Sequence, residues 1–97
     1  MRTAPHGAPD LSPICFAAHI QLNSWAPNFG IQEYSGSGNA QSQAIFPTTI
    51  SVADGVAKVS EAPGLGVDFN EEEAAKYPYK RSYLPVCRLE DGTLWNW

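Results

Sequence analysis

His6, Asp10 and Glu33 are the side chains whose types and setting point to chemistry. His6 stands in Pro5-His6-Gly7-Ala8-Pro9-Asp10, directly before a helix start, with Asp10 four residues on. One imidazole and two carboxylates, though distant in sequence, offer hydrogen-bond partners to a ligand if the fold brings them to one pocket. If residues 1–4 end a parallel strand, His6 lies in the loop at that strand's carboxyl end, and Glu33 lies at the carboxyl end of the next strand. Parallel α/β architectures bind ligands at this edge. The same residues also read as two polar loop groups and an exposed strand end. No Cys or His pair has zinc spacing, since His6, His19, Cys15 and Cys87 stand apart. Glu71-Glu72-Glu73 reads as a solvated helix start, Asp54 and Asp91 as turn residues, and His19 as a surface or partly packed helix residue.

The elements that must position the trio follow from local signals. Ser12 caps and Pro13 opens a helix over 13–25, with an apolar stripe at Ile14, Ala18, Leu22 and Trp25 and a stop at Pro27. Residues 29–34 read as a strand with Phe29, Ile31 and Glu33 on one face and Gly30, Gln32 and Tyr34 on the other. A helix followed so soon by a strand is half of a βαβ unit whose first strand is reduced to Met1–Ala4. Residues 35–44 read as a polar loop of small residues. Asp54-Gly55 between β-branched runs at 49–52 and 56–59 predicts a hairpin. Asn70 caps a short helix over 70–77, with Glu73 at the reciprocal capping-box position and Pro78 after it. A second tight turn is expected within 88–95.

Ninety-seven residues bound the chain to one small domain. Six Lys and Arg against ten Asp and Glu, without a basic cluster, argue against a nucleic-acid binder or a membrane-surface segment. No apolar run suggests a spanning helix, the N-terminus lacks a signal core, and two cysteines are too few for a disulfide scaffold, which makes the cytoplasm the expected compartment. Leu, Ile, Val and Phe are 20 of the residues, at the edge of what folds alone, yet three Trp, four Tyr and four Phe are plentiful. Many aromatics and few aliphatics suggest surfaces that bury against something else.

Four stretches resemble the C-terminal end of the D-mannonate dehydratase group: His-Gly-Ala-Pro-Asp-Leu-Ser-Pro (6–13), Pro-Asn-Phe-Gly-Ile-Gln-Glu-Tyr (27–34), Ser-Glu-Ala-Pro-Gly-Leu-Gly-Val-Asp (60–68) and Arg-Leu-Glu-Asp-Gly-Thr-Leu-Trp-Asn-Trp (88–97). That group is a mandelate racemase-like branch of the enolase superfamily, and it includes D-gluconate dehydratases and the starvation-sensing protein. The resemblance implies an α/β class: the last helix–strand units of a (β/α)8 barrel over 1–34, then a hairpin-containing segment over 35–97 that returns to the cap domain. It implies magnesium-assisted loss of water from a sugar acid such as D-mannonate or D-gluconate, giving a 2-keto-3-deoxy acid. His6, Asp10 and Glu33 match substrate-contacting positions. The family's carboxylate metal ligands and its Tyr and His acid/base groups lie on earlier strands, so neither metal ligands nor catalytic residues are expected in this chain, and the chain alone is expected to be inactive. The implied partners are the missing cap and barrel portion, the sugar acid and, for the full-length family, further copies in a homo-oligomer. The alternative is a non-catalytic binding or regulatory module, or an inactive truncated product of the same family.

Overall fold

A computed structural model describes residues 1–59, 61–81 and 88–93. Its elements are helix α1 (Pro13–Trp25), helix α2 (Ala40–Ile45), strands β1 (Ser51–Ala53) and β2 (Val56–Lys58), and helix α3 (Glu71–Ala75). Helix α1 starts where the Ser12 hydroxyl accepts the Ile14 N–H and Pro13 occupies the first turn, where its missing N–H costs no helical bond. Pro27 lies two residues past its last turn.

The buried face of α1 is not the stripe expected from the sequence. Ala17, Ile20 and Asn23 are buried, whereas Leu22 and Trp25 are 57% and 81% exposed, and Ile14 and Ala18 are also at the surface. The helix is apolar on two sides, and only one side meets its own chain. Phe16 stacks on Tyr34 at 4.9 Å, and Ile20 and Asn23 line a cleft shared with Gln32 and Val52. A helix with apolar residues on two sides suits a position between two layers.

Residues 29–34 form no strand beyond one parallel bridge, Thr3 to Phe29. Thr3 N–H donates to Asn28 O and Gly30 N–H to Thr3 O, both at 2.9 Å. In a parallel ladder the next donor would be the N–H of residue 5, and Pro5 has none. The pairing slips there, and Glu33 N–H rather than that of Gln32 reaches Pro5 O, at 3.3 Å.

Residues 35–44 are also not all loop. Asn39 accepts the Ser42 N–H and starts α2 at Ala40. Helices α2 and α3 pack together: the Phe46 and Phe69 rings lie 5.4 Å apart, and Asn70 N–H donates to Ile45 O. That last bond uses the donor a capping box would need. Asn70 caps the Glu73 N–H, but the Glu73 side chain pairs with Lys76 instead.

Strands β1 and β2 pair antiparallel with Val52 opposite Ala57. Asp54 and Gly55 have φ of 51° and 74°, as a type I′ turn requires. Outside the hairpin, Thr49 N–H donates to Gly66 O and Asp68 N–H to Pro47 O, which ties its base to the segment leading into α3. In the terminal turn, Leu89 N–H donates to Thr93 O and Asp91 accepts the Thr93 N–H. Cys87, residues 94–95 of that expected turn and the terminal Trp-Asn-Trp lie outside the described residues. Among the described residues, no helix is long and apolar enough to cross a membrane.

Candidate functional site

The irregular pairing of the 1–7 and 28–35 segments sets His6 beside Glu33. His6 Nδ1 lies 2.6 Å from Glu33 Oε2, and Gly7 N–H donates to the same oxygen at 2.9 Å. An ionised carboxylate only accepts, so the proton of a neutral His6 sits on Nδ1, and Nε2 is left to meet another group. Glu33 is held below the ordinary carboxyl value of 4.5, first by the Gly7 N–H and then by the His6 hydrogen bond. Both side chains remain open, His6 77% and Glu33 55% exposed.

Gly7 is the point of closest approach. A Cβ there would lie 2.1 Å from Glu33 O, so only glycine lets the two backbones meet. Ser35 Oγ donates to Gly7 O at 2.6 Å and clamps the loop from its other side.

Gln32 joins the segments from behind. Its amide donates to Pro5 O at 3.2 Å and to Glu33 O at 2.8 Å, while its Oε1 accepts from Asn23 Nδ2 at 2.7 Å. The orientation of the amide is fixed, because reversing it would set an oxygen against two carbonyls. Asn23 comes from the buried face of α1 at 8% exposure.

The structure thus brings together two of the three residues singled out in the sequence. Asp10 sits in the exposed turn that Leu11 N–H closes onto Ala8 O, and it joins neither His6 nor Glu33 by a hydrogen bond. Sequence reasoning missed Gly7, Ser35, Gln32 and Asn23. The one available signal was an amide on the helix face opposite an amide next to Glu33. His19 is half-buried, with Nε2 3.8 Å from Cys15 Sγ, and lines a cavity of about 220 Å³ with Phe16, Tyr34 and Ser35. None of His6, Asp10 and Glu33 lines that cavity. Among the described residues, no group of three His, Cys, Asp or Glu side chains gathers to hold a metal ion.

The family model described as enolase C-terminal domain-like matches residues 1–74. A D-galactonate dehydratase family member of Oceanicola granulosus is 56% identical over the whole chain, and a D-mannonate dehydratase of Novosphingobium aromaticivorans is 53% identical. The chain spans 24% of the length of each. The crystal structure of an enolase from Pantoea ananatis with bound D-gluconate and magnesium superposes with a TM-score of 0.83 at 42% identity, over 98% of this chain and 23% of that one. The family match and this superposition give the chain the fold of part of an α/β enolase-type protein, and the chain belongs to the enolase C-terminal domain-like family.

Proposed function

We propose that the chain supplies the substrate-contacting end of a magnesium-dependent sugar-acid dehydratase. The observation that carries this reading is the bond between His6 and Glu33, with the Gly7 N–H on the same carboxylate oxygen. In this reading residues 1–34 close the barrel and residues 35–97 return towards the cap. Glu33 accepts from a sugar hydroxyl, and His6, with its tautomer set by Glu33, presents Nε2 as an acceptor to a second hydroxyl. Asp10 comes into contact once substrate and the rest of the barrel are in place. The described residues do not by themselves fit a magnesium site. The metal ligands and the acid/base groups belong to the remaining cap and barrel, which are the chain's partner. The sugar-acid dehydratases among its relatives, and the D-gluconate and magnesium in the Pantoea ananatis enolase, support a sugar acid as the substrate class.

The test is a chimera in which residues 1–97 replace the matching quarter of the Novosphingobium aromaticivorans D-mannonate dehydratase. It should form a 2-keto-3-deoxy acid from D-mannonate or D-gluconate. His6→Ala, Asp10→Ala and Glu33→Ala should each lower turnover about tenfold or more, and His19→Ala should do little. A folded, active chimera indifferent to all three substitutions refutes the assignment.

A further inference from the structure

We propose that Gln32 and Asn23 are positioning residues for the His6–Glu33 pair, holding in place the carboxylate that the proposed function uses; the inference rests on that reading for its purpose but not for its geometry. A parallel ladder in this register needs an N–H at position 5, and proline cannot supply it. The regular pairing therefore ends just before the two residues that must stay aligned, His6 and Glu33. Gln32 takes over the role of the missing rung. One amide nitrogen spans the gap, donating to Pro5 O on one segment and Glu33 O on the other. The amide can do this only if its oxygen is turned away and satisfied, and Asn23 Nδ2 satisfies it.

Asn23 is the buried polar residue of the described core, on the face of α1 that also buries Ala17 and Ile20. A buried amide with no partner is costly, and here its partner is Gln32 rather than its own helix. The result is a continuous path from the helix interior through Gln32 to the backbone on both sides of the clasp. Glu33 receives nothing from Gln32 at its carboxylate; the amide fixes its carbonyl. Gly7 packs against that same carbonyl and donates its N–H to the carboxylate. Moving the carbonyl therefore moves the carboxylate away from the Gly7 N–H and from His6.

The test reads the carboxylate directly, in the full 97-residue chain. With 13C-labelled glutamate, the Glu33 carboxyl should titrate below its ordinary value of 4.5. In Gln32→Leu and in Asn23→Leu it should return towards that value, and the Gly7 amide signal should move, while the amides of Gly55 and Glu73 stay where they were. The double variant should do no more than either single one, because the two side chains act in series. Gln32→Met keeps the length of the side chain, removes both donors and adds no charge beside Glu33, so it should behave like Gln32→Leu even if the leucine variants fold poorly. An ordinary Glu33 titration in the unaltered chain, or an unchanged one in Gln32→Met, overturns the inference. If instead Gln32→Met shifts Glu33 but Glu33→Ala leaves the chimera's turnover intact, the positioning stands and the proposed function falls.

Discussion

Gly7→Ala is the sharpest single perturbation of the site. Gly7 does not have a positive φ, so alanine meets no backbone strain and the whole effect comes from contact. The added Cβ would lie 2.1 Å from Glu33 O and 2.7 Å from Glu33 C. Both atoms are backbone, and no rotamer change relieves the clash. Ordinary contact begins at 3.4 Å, so the two segments must part by an ångström or more. That movement lengthens the Gly7 N–H bond to Glu33 Oε2 beyond hydrogen-bond range and draws His6 away with it. Overpacking of this kind costs about 1–3 kcal/mol, which speeds local opening about 5- to 150-fold. The assay is amide hydrogen exchange at Gly30 and Glu33, whose N–H groups bond to Thr3 O and Pro5 O. Exchange should accelerate there and stay constant at the Asn70-capped Glu73 amide. Unchanged exchange at Gly30 and Glu33, together with an unchanged Glu33 titration, refutes the claim that close approach at Gly7 builds the site.

Four further outcomes are expected. Glu33 titrates below 4.5 when the site is closed and nearer 4.5 when it is open, so its contribution is complete above that value and is lost as pH falls through the lowered one; the Gly7 amide shift should follow this transition, and constancy down to pH 2 counts against it. Asp91, lowered from 3.8 by the Thr93 N–H, should loosen the 88–93 turn in the same direction, read from the Thr93 amide. Gly55→Ala places a side chain at φ 74° and should cost about 1–2 kcal/mol, seen as loss of the cross-strand contact between Val52 and Ala57. The isolated chain with magnesium should form no 2-keto-3-deoxy acid from D-mannonate or D-gluconate, as measured by chromatography against a blank.

Features set by local chemistry were legible in the sequence, and those set by partners were not. Ser12-Pro13, Asn70 and Asp54-Gly55 each mark a helix start or a turn by the conformation or hydrogen bond they favour, and the structure has those features. The apolar stripe of α1 was misjudged because periodicity shows that a face is apolar, not what covers it. Leu22 and Trp25 outrank Ala17 in hydrophobic size, yet Ala17 is buried with Ile20 and Asn23 while they stay exposed. The strand at 29–34 was expected from residue types alone, whereas a strand needs donors opposite it, and Pro5 withholds one. His6 and Glu33 were paired by an argument about strand ends. Gly7, Gln32 and Asn23 escaped it because their roles depend on contacts across 9 to 27 positions.

The bridge between Thr3 and Phe29 also sets an order of events in folding. It closes residues 4–28 into a loop, whereas the hairpin closes only Asp54 and Gly55. Chain entropy makes the larger closure roughly 2 kcal/mol dearer. The hairpin and the capped helices can form within microseconds of their residues becoming available, before that cost is met. The residues proposed to touch substrate therefore depend on a closure that costs more chain entropy than the hairpin does.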